Sequence, residues 1–114
     1  MKINSFEEII SWKKACLLTE KIYKEFKFCD DFGFRDQIQR ASISIMNNIA
    51  EGFERKSDKE FKNFLFIAKG SCGELRSMFY IANRVGFINK SNYKTYLSDC
   101  FEISKLLSGL IKTL

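Results

Sequence analysis

Apolar and polar residues alternate with helical rather than strand periodicity along nearly the whole chain. The clearest stretch is 38–85. Apolar or small residues recur there at Ile38, Ala41, Ile45, Ile49 and Gly52, then at Phe61, Phe64, Leu65, Ala68, Cys72, Leu75, Phe79 and Ala82. Each series places one stripe down one side of a helix. The pattern breaks between Gly52 and Ser57, and Ser57-Asp58-Lys59-Glu60 supplies a start signal. Ser57 can accept from the amide of residue 60 while Glu60 reaches back to the amide of Ser57. The segment is expected to be an antiparallel helical hairpin.

The flanks extend this reading. A second capping box, Ser5-Phe6-Glu7-Glu8, predicts a helix from Phe6 to about Phe28, with Ile9, Trp12, Cys16, Ile22 and Phe26 facing inward. Cys29 to Gly33 reads as a short acidic turn in which Gly33 is available for a left-handed backbone. A second helix is predicted over 34–53 and a third over 58–85. Gly86 is placed to cap the third helix, with Phe87 folding back on its end. Residues 89–92 are loop and cap for a fourth helix, whose stripe is Tyr93, Leu97, Cys100, Ile103, Leu107, Leu110 and Leu114. No proline interrupts any of these segments, and no repeat or low-complexity linker divides them. Residues 1–114 are therefore expected to form one all-α domain, an antiparallel up-down-up-down four-helix bundle. A domain of this length buries roughly 65% of its unfolded surface, enough for one core.

Composition narrows the setting. Hydrophobic residues are 46% and charged residues 29% of the chain, values of an ordered soluble protein. No signal peptide is visible, since Glu7 and Glu8 interrupt the first residues, and no apolar run reaches the length of a membrane span. The cysteines, at 16, 29, 72 and 100, are too scattered for paired metal or redox spacing, and Cys72 and Cys100 fall on apolar stripes. Buried thiols in a reducing cytoplasm are the expectation, with no membrane partner.

The absence of histidine removes most catalytic and metal chemistry in one step. Ser-His-Asp and Cys-His catalysis, histidine general bases and most zinc sites all require it. Glu20, Glu51, Glu74 and Glu102 supply about one carboxylate per helix, as a di-iron bundle would. Such sites also need Glu-x-x-His pairs, which this chain lacks. Ala68-Lys69-Gly70-Ser71 resembles a phosphate loop only superficially, without the leading glycine or the preceding strand. The chain is expected to be non-enzymatic, with no cofactor and no metal.

One helix carries more apolar surface than a lone bundle needs. Beside its core stripe, the third helix bears a second arc of Phe66, Gly70, Gly73, Ser77 and Tyr80. A mid-helix glycine costs about 1 kcal/mol relative to alanine, so two of them imply a compensating close approach. Either another copy of the chain or a neighbouring helix of the same copy can supply it. Twelve phenylalanines also exceed what one small core hides, so this arc is expected to form an oligomer interface.

The net charge is +5, and it is uneven. Residues 1–34 balance, residues 35–84 carry an excess of three positive charges, and residues 85–114 an excess of two. Arg35, Arg40, Arg55, Lys56, Lys59, Lys62, Lys69 and Arg76 are the candidate contacts for nucleic-acid phosphates. Acidic neighbours dilute their field in one copy, but in a cyclic oligomer the same face repeats and the potential rises with each copy. Glu51 and Arg55, four apart, are spaced for an ion pair, with Glu60 and Arg40 as further candidate partners. Asn47 and Asn48 sit mid-helix, where one must flank the stripe, either as a hydrogen-bonded register device or as the lining of a polar channel.

These residues resemble a known family. The segments Trp12-x-x-Ala15, Ile22-Tyr23, Gln37-x-x-Arg40-Ala41-x-x-Ser44-Ile45, Asn48-Ile49-Ala50-Glu51-Gly52, Arg55-x-Ser57-x-x-Glu60-Phe61-x-x-Phe64-Leu65-x-Ile67-Ala68-x-Gly70-Ser71 and Glu74-Leu75 look like bacterial four-helix bundle proteins. These include proteins encoded by intervening sequences within 23S ribosomal RNA genes. The accessory variability determinant of diversity-generating retroelements is similar. The resemblance covers about Phe6 to Gly86. It implies a homopentamer with a central channel and, by likeness to the retroelement protein, binding of nucleic acid and a reverse transcriptase through basic surfaces. One departure is Gln39-Arg40, where the family often has paired basic residues; it removes one positive charge per subunit.

Overall fold

The computed structural model describes residues 2–114, and its first feature is the capping box at Ser5. The Ser5 amide donates to the Glu8 carboxylate at 3.1 Å. The box caps a single 3-10 turn, Phe6–Glu8, and the extended backbone of Ile9 delays α1 to Ile10–Glu25. Phe6 packs edge-on against Trp12 at 5.2 Å, which folds this turn onto the helix it precedes. The helix stops short of Phe28, with Phe26 as its C-cap; the Phe26 side chain is 1% exposed in the core and meets Phe34 at 5.7 Å.

Helix α2 spans Phe32–Phe53, starting two residues earlier than the acidic turn at 29–33 suggests. Asp31 caps it, its carboxylate accepting from the Phe34 amide at 3.0 Å. Gly33 thus lies in the first helical turn, and the left-handed role expected of it does not arise. Helix α3 spans Asp58–Arg84. The Ser57 hydroxyl accepts from the Glu60 amide at 3.2 Å, as expected. The Glu60 carboxylate accepts from that hydroxyl, also at 3.2 Å, instead of from the Ser57 amide.

At the far end of α3, Gly86 adopts φ +83°, the one positive φ among the described residues. The Phe87 amide donates to the Ala82 carbonyl at 2.8 Å and the Gly86 amide to Asn83 at 3.3 Å, closing a Schellman motif. Asn89 then caps α4, Lys90–Lys112, accepting from the Asn92 amide at 2.7 Å.

Each helix packs on the next in sequence and α4 closes on α1, which leaves α1 and α3 diagonally opposite. The result is the expected four-helix bundle, 43 × 22 × 19 Å. One end gathers the α2–α3 turn and both chain ends; the other holds the α1–α2 and α3–α4 turns. The stripes predicted for α2 and α3 are buried, except that Phe64 is half-buried. In α1 the phase differs: Trp12 and Cys16 are half-buried, and Ala15, Leu18 and Thr19 complete the core. In α4 the buried ring is Tyr96 rather than Tyr93. It stacks on Phe79 at 5.4 Å and donates to Glu25 at 2.7 Å.

Cys72 and Cys100 are fully buried, as their stripe positions require. Burial pushes the Cys72 thiol up from the ordinary 9.0 to about 11. It pushes Cys100 further up, and burial with the Glu25 contact raises Tyr96 as well. These groups are held neutral by the fold, whereas the unfolded chain releases the thiol protons near pH 9. Their contribution is therefore complete at neutral pH and lost as pH rises from 9 towards 11 and beyond. The loss reaches about 1.4 kcal/mol per pH unit for each thiol. The urea midpoint is expected to be flat from about pH 6 to 8 and to fall steeply above 9. A Cys72→Ala/Cys100→Ala variant should fall less steeply. A wild-type midpoint unchanged at pH 11 would contradict the burial of both thiols.

Candidate nucleic-acid interface

The α2–α3 turn is where the sequence concentrates cations and the fold exposes them. Arg55, Lys56 and Lys59 are exposed and Lys62 is half-buried one turn into α3. Glu54, Asp58 and Glu60 share the corner, and with Glu51, which pairs with Arg55, they balance its four cations within one copy. Arg55 is held on two sides. Its guanidinium pairs with Glu51 at 2.6 Å and lies over the Phe64 ring at 4.8 Å. This i,i+4 pair is the one the spacing predicts; Glu60 and Arg40 do not join it. Both members are exposed, so it adds only a few tenths of a kcal/mol to stability.

Arg55, Lys56, Ser57 and Asp58 also wall a cleft of about 430 Å³, lined on its other sides by Ile3, Phe53, Phe61, Leu110 of α4, and Thr113 and Leu114 just beyond that helix. The cleft joins residues about a hundred positions apart, and no local signal in the sequence marks it.

The remaining candidates are not on this corner. Lys69 donates to Ser108 at 2.7 Å and Arg76 lies over Phe101 at 4.9 Å, so both line the seam between α3 and α4. Arg40 projects from the outer face of α2, about 22 Å of helix rise from Arg55. Arg35 sits at the opposite end of the bundle, over the Phe32 ring at 4.8 Å and 3.9 Å from Asp36. The eight cations thus divide into a turn cluster, a seam pair and two separate residues.

The second arc of α3 is on the outside. Phe66 and Tyr80 are each 54% exposed, and a Cβ added at Gly70 would meet nothing within 4 Å. At Gly73 it would meet only the tip of Arg76, at 3.9 Å. Packing within the chain therefore does not require these glycines. Asn48, in contrast, has a role in the fold. It donates to the Ser44 carbonyl at 2.7 Å and hydroxyl at 3.0 Å, and Ser44 bonds Ser71 at 2.9 Å. This chain of polar groups sets the register of α2 against α3, and Asn47 faces solvent. The carboxylates Glu20, Glu51, Glu74 and Glu102 all lie on the outer surface.

Comparison with known proteins bears on the same residues. The sequence profile of the 23S rRNA-intervening sequence proteins matches residues 7–109. The chain belongs to this family. A crystal structure of a protein of unknown function from the S23 ribosomal protein family of Bacteroides thetaiotaomicron is similar, with a TM-score of 0.84 and 28% identity over 90% of this chain and 96% of that one. No curated protein matches the chain. The blocks that carry the family likeness have structural work in this 23S rRNA-intervening sequence protein. Asn48 and Ser71 belong to the polar register, and Gly52 lets α2 lie tightly against α3, a Cβ there falling 2.6 Å from that of Phe64. No helix among the described residues is long and apolar enough to cross a membrane.

Proposed function

We propose that this chain is a non-enzymatic cytoplasmic protein that assembles as a ring and binds the phosphates of RNA or DNA through the repeated α2–α3 corner. Five copies is the number the family resemblance implies. The observation that carries the reading is the placement of Arg55, Lys56, Lys59 and Lys62 on one projecting turn. A single corner, nearly balanced by its acids, binds weakly. A ring brings several such corners to one polyanion, and each phosphate contact releases counterions.

Binding of a structured RNA and of duplex DNA, followed by fluorescence anisotropy between about 50 and 200 mM salt, tests this. Affinity should fall steeply with salt. The variant Lys56→Glu/Lys59→Glu/Lys62→Glu should lower the salt slope by roughly 0.9 per lost contact and weaken low-salt affinity about a hundredfold or more. Its mass should be unchanged. Wild-type protein that binds neither nucleic acid at low salt defeats the proposal. A discrete protein partner retained after nuclease treatment would favour a protein-interaction scaffold, with the exposed arc of α3 building the assembly.

A further inference from the structure

The arc on α3 has a counterpart elsewhere on the same chain. Along the α1–α4 seam, Lys21 pairs with Asp99 and Lys14 with Glu102, both at 3.2 Å. Below that ladder the seam opens into a groove of about 390 Å³, walled by Ile9, Ile10, Leu106 and Leu110, with Gly109 among its lining residues. Ile10 is 58% exposed, and a Cβ at Gly109 would meet nothing within 4 Å. Ser11 lines the same groove; it is only 2% exposed, and its hydroxyl has no hydrogen-bond partner. A buried polar group left in this way costs free energy unless something outside completes it.

The α3 ridge has complementary features. Between Phe66 and Ile81 its exposed residues are Phe66, Ile67, Gly70, Ser77, Tyr80 and Ile81, with Glu74 as the one exposed charge. The outer faces of the other three helices mix several charges over a similar length. Lys69 and Arg76, which flank the ridge, are turned towards Ser108 and Phe101 of α4.

Height along the bundle relates the two surfaces. The Lys69–Ser108 and Arg76–Phe101 contacts align α3 with the antiparallel α4. Phe66 and Gly70 therefore lie level with the Gly109 region, and Glu74 lies within a turn of Lys105 on the groove rim. The ridge lies on α3 and the groove between α1 and α4, so the two occupy different sides of the bundle with α4 between them. A ring with an odd number of copies needs two different patches that fit each other, because a self-complementary patch gives only pairs. Two patches at equal height close a ring; a step in height would wind an open filament.

We infer that the α3 ridge of one copy docks in the α1–α4 groove of the next, Phe66 entering beside Gly109 and Glu74 meeting Lys105. This rests on the ring-forming reading above and specifies its contact. Mass measurement by native mass spectrometry tests it with two classes of variant at solvent-facing positions. Phe66→Glu/Tyr80→Glu spoils the ridge. Gly109→Trp, and independently Ile10→Glu, spoils the groove.

Each variant alone should collapse from the ring to the single-chain mass of 13.3 kDa. Mixing a ridge variant with a groove variant leaves one intact ridge facing one intact groove. The mixture should therefore give a one-to-one heterodimer and nothing larger. If the wild type is itself a single chain, the ring reading fails and takes this contact with it. If the wild type is a ring, two results overturn the docking alone: groove variants that keep the ring mass, or a mixture that gives no heterodimer. An apolar ligand or a different protein helix in the groove predicts the first of these.

Discussion

Phe79→Ala is expected to cost about 3–5 kcal/mol, a large part of the 5–15 kcal/mol that holds a domain of this kind together. Phe79 is fully buried near the far end of α3, so the substitution leaves a cavity the size of a ring. The cavity also removes the surface on which Tyr96 stacks, at 5.4 Å. Tyr96 links α4 to α1, donating to the Glu25 carboxylate that also accepts from Asn92 at 2.9 Å. Three helices thus loosen together. Tyr96→Phe is the comparison. It keeps the ring stack, removes only the hydroxyl and should cost about 1–2 kcal/mol. Chemical denaturation at fixed protomer concentration reads both values, the fixed concentration being needed because assembly adds to apparent stability. A loss below about 1 kcal/mol for Phe79→Ala would place the centre of the core elsewhere.

The sequence made the hairpin of α2 and α3 legible because its stripes are long, regular and bounded by residues with one structural use. Ser57 before a helix and Gly86 after one are such residues, and both do what their chemistry predicts. The starts of α1 and α2 were less legible. Asp31 has the same short side chain whether it makes a turn or caps a helix, so 29–33 read as loop when its last two residues are helical. Residues 5–9 satisfy a capping box that serves a 3-10 turn equally well. In α1 the exposed apolar residues Ile10 and Leu17 blur the phase, hiding Ala15 and Leu18 as the true core positions.

The candidate site divides in the same way. That the cations are dense after Gly52 is a fact of the sequence. That Arg35 lies at the other end of the bundle, and that Lys69 and Arg76 are occupied against α4, depends on how the helices pack. The α1–α4 groove could not be read at all. Its walls come from Ile3, the start of α1 and the end of α4, and its openness depends on Gly109, which has no side chain to signal anything.

Glycine substitutions separate the two uses of small residues in this chain, and they should move stability in opposite directions. Gly52→Ala is expected to destabilise by about 2 kcal/mol. Its Cβ would fall 2.6 Å from the Phe64 Cβ, 3.0 Å from the Phe61 ring and 3.3 Å from the Phe61 carbonyl. The Phe64 Cβ is fixed to the backbone and cannot rotate away, so α2 and α3 must part. Overpacking of this kind costs about 1–3 kcal/mol or more, which outweighs the gain of about 1 kcal/mol that alanine brings to a helix. Gly70→Ala meets nothing within 4 Å, so only the helix gain remains. A single chain carrying it should be more stable by up to about 1 kcal/mol. Making Gly70→Ala in the Phe66→Glu/Tyr80→Glu background, which removes the ridge contact, isolates that gain. In the otherwise unaltered chain the same methyl should weaken assembly, because the proposed neighbour approaches there. Stabilisation by Gly52→Ala would mean that the α2–α3 seam is looser than 2.6 Å implies. Destabilisation by Gly70→Ala in the ridge-spoiled background would mean that the outer face of α3 is covered within its own chain.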